Sequence, residues 1–95
     1  MTADSSVVVL GQAVDDVKPT YQTTAGLAEK FGKERVVNTP LSEEGMTGVA
    51  VGMALAGLRP VLVHIRADFL LLGFNQLVNM AAKIRHMYGG RLSCP

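Results

Sequence analysis

The sequence is poor in the residues that build disulfide frameworks and metal centres. Its 95 residues include one cysteine, Cys94, and two histidines, so no internal disulfide can form. A lone cysteine fits a reducing compartment, or it serves as a small apolar residue in a strand. His64, His86 and Cys94 do not follow the spacing of a metal-binding motif. We therefore expect neither a disulfide scaffold nor a metal site.

Neither sign of charge dominates the sequence, and no long apolar run occurs. Nine lysines and arginines oppose eight acids, for a formal net charge of +1, which predicts no basic surface for nucleic acid. The apolar runs stay well short of the roughly 20 residues that a membrane span needs. Residues 1–6 form a short polar start without the regions of a leader. These features predict a soluble cytoplasmic protein (mitochondrial matrix, if eukaryotic) that contacts neither nucleic acid nor membrane.

Residues that favour buried strands are abundant. Apolar residues make up 48% of the chain, which suffices for one small globular domain. Three short runs rich in β-branched residues lie at 6–11, 35–38 and 61–65, the last opened by Arg59-Pro60; apart from Ser6 and His64, the first and third runs contain no polar side chain. This pattern is typical of parallel strands that are covered on both faces. We expect a fourth strand to begin at 91–95.

Helical patterns lie between these runs. Three helices are predicted, at 25–31, 42–56 and 68–87, ended by Gly32, Gly57 and Gly89-Gly90 respectively. A polar loop precedes the first, with Thr23 or Thr24 as its cap. In the third, apolar residues step by three and four and predict one buried stripe: Leu70, Phe74, Leu77, Ala81, Ile84 and Tyr88. Strands alternating with helices predict an α/β fold, a parallel sheet with helices on both faces.

The connection between the second strand and the second helix, residues 38–45, carries the most informative chemistry. Pro40 ends extended pairing because it has no amide hydrogen. Ser42 can cap the helix, and Glu43 and Glu44 in its first turn suit the positive helix end. A carboxylate at such a corner is a plausible catalytic group. Alternatively, both acids only stabilise the start of an ordinary packed helix.

Small residues follow one face of that helix. Gly45, Gly48, Gly52 and Ala56 recur at helical spacing. Each glycine costs a helix roughly 1 kcal/mol, so three of them require a reason. The pattern predicts that this face lies against another helix at short range, within the chain or across a subunit contact.

Five segments in order give the sequence a resemblance to a known family. They are GKERV at 32–36, NTPLSE at 38–43, GMA at 52–54, GLRP at 57–60 and NMAAK at 79–83. In this order and spacing the sequence resembles the beta subunit of the thiamine-diphosphate-dependent 2-oxoacid dehydrogenases and, more widely, the pyrimidine-binding domain of transketolase-like enzymes. The resemblance implies that residues 1–95 are the amino-terminal part of such a domain, which continues beyond Pro95.

The resemblance implies roles for several residues. Glu43 aligns with the glutamate that hydrogen-bonds the ring nitrogen of the cofactor's aminopyrimidine and favours its imino tautomer, a proton-sharing role that is strongest in a desolvated site. Leu41, Ile65 and Phe69 align with positions that pack against the pyrimidine, although each also suits a hydrophobic core. Glu44, about 100° further around the helix, is assigned to solvent or to a partner.

Two positions depart from the better-known members. Gln12 stands where a glutamate usually faces the active centre, and an amide keeps the hydrogen bonds without the charge. Arg66 lies at the end of a predicted parallel strand, where ligands bind. Its guanidinium suits a substrate carboxylate or phosphate, or a salt bridge to Asp68 or to a partner chain.

The two histidines have structural explanations. His64 fits a satisfied core histidine better than a proton-transfer role, and His86 fits the helix end.

One motif of the family is missing: the sequence has no Gly-Asp-Gly…Asn-Asn pattern for magnesium and diphosphate. The resemblance therefore implies that an alpha-type partner holds these groups, while this chain supplies the pyrimidine side of a thiamine diphosphate site. It implies oxidative decarboxylation of a 2-oxoacid with acyl transfer to a lipoyl carrier, in a heterotetramer with another beta chain and in contact with a lipoyl acyltransferase. The alternative is a non-catalytic transketolase-like α/β paralogue or fragment that acts only in subunit assembly; Gln12 and Arg66 favour it slightly, whereas the intact residues 40–43 favour the enzyme.

Overall fold

The computed structural model describes all 95 residues and centres on a three-stranded parallel sheet. Its strands are β1 (Val7–Gly11), β2 (Val36–Asn38) and β3 (Arg59–Val63), in the order β2-β1-β3. Val9 pairs with Val36 on one side and with Val61 on the other. The predicted α/β fold is therefore confirmed. β3 begins at Arg59, which was predicted to open it, but ends two residues before the predicted Ile65, so His64 and Ile65 follow the strand.

Two of the three predicted helices are present, with corrected starts. α1 spans Leu27–Phe31 and α2 spans Glu43–Leu55. Neither predicted cap forms: α1 begins after Gly26 in the left-handed conformation, and Ser42 occupies the cap position of α2 without a side-chain hydrogen bond. Both helices are followed by the predicted glycines, Gly32 and Gly57, which have positive φ. No helix of the chain is both long and apolar enough to span a membrane.

The central strand β1 is buried on both faces. Successive side chains of a strand point to opposite faces, and Val8, Val9 and Leu10 are each 7% exposed or less. Val9 packs with the buried Val36 against residues of α1. On the other face, Leu62, which pairs with Leu10, lines an apolar groove together with residues of α2. Helices therefore cover both faces, as predicted.

The prediction of one long α-helix at 68–87 is wrong. The chain forms a 3₁₀ segment at Ala67–Gly73, a π-helical segment at Asn75–Ala81, and α3 at Ala82–Met87. These helix types join amides to carbonyls three, five and four residues away, so residues spaced for one α-helix do not all share a face. Ile84 is buried, whereas Phe74 and Tyr88 are 47% and 51% exposed.

The expected fourth strand at 91–95 is also absent. Gly89 and Gly90 end α3 with positive φ, as predicted, but the residues after them pair with no strand. Cys94, expected in that strand, is half-buried and lines the apolar groove beneath α2 together with Pro95. Strand pairing needs a neighbour, and the sequence pattern alone does not supply one.

The small residues of α2 were predicted to lie close to another helix. Within this chain, only Gly48 makes such a contact. A Cβ atom at Gly48 would lie 3.5 Å from Cγ of Gln76 in the π-helical segment. One at Gly52 would have no neighbour within 4 Å. Gly45, Gly52 and Ala56 are exposed. The stripe therefore makes no continuous helix contact inside the chain.

Candidate functional site

A cavity of about 200 Å³ opens at the carboxyl ends of β1 and β3. In open parallel sheets this edge is the usual place for a ligand. Its walls come from the end of β1, the connection from β2 to α2, the first turn of α2 and the residues after β3. The lining residues are Gly11, Gln12, Thr39, Pro40, Leu41, Ser42, Glu43, Met46, Leu62, Val63, His64, Ile65, Arg66 and Phe69.

Hydrogen bonds bring the loops after β1 and β2 together. The Thr39 amide donates to the Gly11 carbonyl at 3.0 Å, and the Ala13 amide donates to Asn38 Oδ1 at 2.9 Å. Gly11 also lies so close to β3 that a Cβ atom there would stand 2.6 Å from the Val63 carbonyl oxygen. Only glycine allows this approach, which brings the end of β1 against the end of β3.

The two adjacent acids of α2 have different surroundings. Glu43 is half-buried and lines the cavity. Its carbonyl oxygen accepts a hydrogen bond from the hydroxyl of buried Thr47 at 2.6 Å. Glu44 is exposed, and its Oε1 accepts a hydrogen bond from Gln76 Nε2 at 3.3 Å. Of the two acids, only Glu43 therefore lines the cavity.

All five residues that the family resemblance assigned to the cofactor site line this one cavity. They are Gln12, Leu41, Glu43, Ile65 and Phe69. They come from three separate parts of the chain, which the fold brings together. Leu41 and Phe69 are 76% and 42% exposed, so these two are not residues of a packed hydrophobic core. They present apolar surface to whatever enters the cavity.

Arg66 lies among the lining residues and is ion-paired. Its Nη2 is 3.2 Å and its Nε 3.3 Å from Asp68 Oδ2, and the guanidinium lies 5.2 Å from the centre of the Phe69 ring. The salt bridge to Asp68 is thus present. His64 is half-buried between this cavity and the apolar groove beneath α2, and its imidazole makes no hydrogen bond within the chain. It is therefore not the satisfied core histidine that was predicted.

Nine of the fourteen lining residues were not assigned to the cofactor site from the sequence, and Met46 and Gly11 are two of them. Met46 follows Glu43 by three positions, and that spacing places both on one face of a helix. Gly11 ends a strand, and its close approach to Val63 could not be inferred without the register between β1 and β3. The first had a local signal in the sequence, whereas the second depends on strand pairing.

Comparison with known proteins gives an assignment that agrees with this geometry. The model of the transketolase pyrimidine-binding domain matches residues 1–95. The chain belongs to this family. The pyrimidine-binding domain is 43% identical to pyruvate dehydrogenase E1 component subunit beta of Rickettsia conorii and 44% identical to 2-oxoisovalerate dehydrogenase subunit beta of Bacillus subtilis. It is 41% identical to mitochondrial pyruvate dehydrogenase E1 component subunit beta of Pisum sativum.

These matches cover the whole of the present chain but only part of each relative. The chain spans 29% of the bacterial proteins and 26% of the plant protein. The family assignment therefore applies to the domain that these 95 residues form.

Proposed function

We propose that this chain is the amino-terminal part of a beta-type subunit of a thiamine-diphosphate-dependent 2-oxoacid dehydrogenase, and that it supplies the pyrimidine side of the cofactor site. The observation that supports this proposal is the convergence of Gln12, Leu41, Glu43, Ile65 and Phe69 on one cavity. The relatives named as beta subunits of pyruvate and 2-oxoisovalerate dehydrogenases match the chain over its whole length.

The residues of the cavity fit an aminopyrimidine ring. A flat heteroaromatic ring needs apolar surfaces at its faces and a few polar groups at its edge. The exposed side chains of Leu41 and Phe69 provide apolar surface, and Glu43 provides a carboxyl group beside them. The amide of Gln12 can both donate and accept a hydrogen bond.

Each lining residue then has a physical role. Thiamine diphosphate supplies, when bound, a nucleophilic carbon and a place for the electrons released in decarboxylation. Glu43 would hold a proton at its carboxyl group against the ring nitrogen, and its half-buried position strengthens that hydrogen bond because water competes less. Leu41, Ile65 and Phe69 would orient the ring and exclude water. Gln12 would add hydrogen bonds without a charge.

A second subunit would complete the site. In the proposed assembly an alpha-type partner would hold the magnesium and the diphosphate. Exposed apolar side chains after β3 suit a contact with that partner or with another beta chain; they include Leu71, Leu72, Phe74, Val78 and Met80. Acyl transfer to a lipoyl carrier would bring in a lipoyl acyltransferase.

A turnover assay of the full assembly tests this function. The full-length subunit is produced with its diphosphate-binding partner and assayed for decarboxylation of 2-oxoacids with an artificial electron acceptor. We expect turnover that requires both thiamine diphosphate and magnesium. An assembly that forms but decarboxylates no pyruvate, branched-chain or dicarboxylic 2-oxoacid would contradict the proposal and would favour the non-catalytic paralogue.

A further inference from the structure

Arg66 is a charged residue of the cavity for which the proposed function has no role. Among the lining residues it is the only lysine or arginine, and Glu43 is the only acid. It follows the carboxyl end of β3, at the edge of the sheet where ligands bind. The cavity therefore carries one fixed positive charge.

The guanidinium of Arg66 is oriented but retains free donors. Its Nε and Nη2 both contact a single atom, Asp68 Oδ2, at 3.3 and 3.2 Å. It also stacks 5.2 Å from the centre of the Phe69 ring, which is itself a wall of the cavity. The side chains of Arg66 and Asp68 are 60% and 70% exposed, so solvent weakens their attraction. The Nη1 donors have no partner in the chain.

We propose that Arg66 determines substrate choice by binding a second, distal carboxylate of a 2-oxoacid, so that the enzyme prefers dicarboxylic substrates. This inference rests on the proposed function. A planar guanidinium with free donors binds carboxylates in a bidentate manner. Asp68 already places one carboxylate against Arg66. A substrate carboxylate can replace this exposed partner, because the guanidinium then exchanges one carboxylate for another.

The test compares two substrates of similar shape that differ by one charge. The full-length subunit, assembled with its diphosphate-binding partner, is assayed with 2-oxoglutarate and with 5-methyl-2-oxohexanoate, in which an uncharged isopropyl group replaces the distal carboxylate. We expect kcat/KM to favour 2-oxoglutarate. Arg66→Gln should reduce that preference by about tenfold or more, because a charged hydrogen-bond partner is lost. Both substrates are measured on one preparation, so the fraction of folded enzyme cancels.

Arg59→Gln is the matched control. Arg59 is the first residue of β3, the strand that precedes Arg66. Its side chain is 62% exposed, and its Nε lies 3.4 Å from a carboxylate oxygen of Asp4. Its substitution removes the same charge from a residue that does not line the cavity, and it should leave the preference unchanged. Asp68→Asn removes the competing carboxylate and should increase the preference for 2-oxoglutarate.

The outcomes separate this inference from the proposed function. Turnover with an unchanged preference in Arg66→Gln would overturn the role of Arg66 and leave the proposed function intact. An absence of turnover with these substrates, pyruvate and 2-oxoisovalerate would contradict the proposed function instead. In that case, calorimetric titration of the assembly still tests whether Arg66 binds the distal carboxylate. Binding of 2-oxoglutarate that exceeds binding of 5-methyl-2-oxohexanoate, and is lost in Arg66→Gln, supports the anion site, and equal binding of both compounds overturns it.

Discussion

Thr47 and Gly73 lie in direct contact, since a Cβ atom at Gly73 would stand 2.5 Å from the Thr47 hydroxyl oxygen. That hydroxyl donates to the carbonyl of Glu43, and Thr47 is buried in α2. Gly73 ends the 3₁₀ segment that contains Phe69. One close contact thus couples the helix that carries Glu43 to the segment that carries Phe69, and both residues line the cavity.

Gly73→Ala should therefore destabilise the protein. The added methyl group forces Thr47 or the 3₁₀ segment to move, and overpacking of this kind costs about 1–3 kcal/mol. Chemical denaturation measures the change. Gly52→Ala is the control, because a Cβ atom there meets nothing within 4 Å, and alanine in a helix interior gains about 0.5–1 kcal/mol over glycine. Equal stability of Gly73→Ala and the wild type would show that the contact is not tight.

Much of the fold follows from local signals, whereas the residues of the candidate site came from the family resemblance. Runs of β-branched residues locate the three strands, and Pro40 followed by two acids locates the start of α2 within one residue. Because parallel strands end at one edge of their sheet, residues that follow different strands converge there. The family resemblance named Gln12, Glu43 and Ile65, and the order of the strands agrees with their convergence at this edge.

The failures concern interactions between distant residues. The spacing of apolar residues at 68–87 is compatible with one α-helix. It carries no information on the contact between Gly73 and Thr47 or on the change from 3₁₀ to π geometry. The fourth strand would need a pairing partner, which no local pattern provides. Ser42 has the right chemistry for a cap, yet its φ and ψ of −163° and 84° accompany no side-chain hydrogen bond.

The stability of the amino-terminal turn should depend on pH through Asp4. Hydrogen bonds from the Ser6 hydroxyl and then from the Ser6 amide (2.8 Å) hold the pKa of Asp4 below its usual value of 3.8, and Arg59 assists. A lowered pKa in the folded state means that Asp4 contributes stability above pH 3.8 and loses it as the pH falls through the lowered value.

Asp4→Asn should accordingly melt at a lower temperature than the wild type at pH 7. The difference should vanish in acid below the lowered pKa. Melting curves recorded from pH 7 to pH 2 measure this. Asp16→Asn is the control, because Asp16 is an exposed aspartate whose side chain has no hydrogen bond in the structure. A difference for Asp4→Asn that stays constant with pH would exclude this role of its charge.

The 95-residue chain on its own should neither bind thiamine diphosphate tightly nor decarboxylate a 2-oxoacid. Its cavity offers one carboxylate and apolar walls, which suit the pyrimidine but not the magnesium-bound diphosphate. Calorimetric titration with cofactor and magnesium, after circular dichroism has established folding, is the measurement. The assembly with an alpha-type partner, titrated under the same conditions, is the reference. Micromolar binding by the isolated chain would contradict the idea of a half site.

The sharpest prediction separates Glu43 from Glu44, which are adjacent and chemically identical. Only Glu43 lines the cavity, whereas Glu44 is exposed and accepts a hydrogen bond from Gln76. In the full assembly, Glu43→Gln should lower turnover by about 100-fold or more, the usual contribution of a positioned proton-transfer group. Glu44→Gln should stay within about threefold, because its loss removes no contact to the reacting atoms.

The pair serves as its own control. Both acids lie in the first turn of α2, where each contributes about 0.3–1 kcal/mol through the helix dipole, so the two variants should lose similar stability. Glutamine keeps the size of the side chain and an acceptor oxygen for Gln76, which removes packing as a competing cause. A large difference in turnover at matched stability can then come only from the position of the carboxyl group. Equal losses of turnover would show that both acids merely stabilise the start of the helix and that the catalytic carboxylate lies elsewhere.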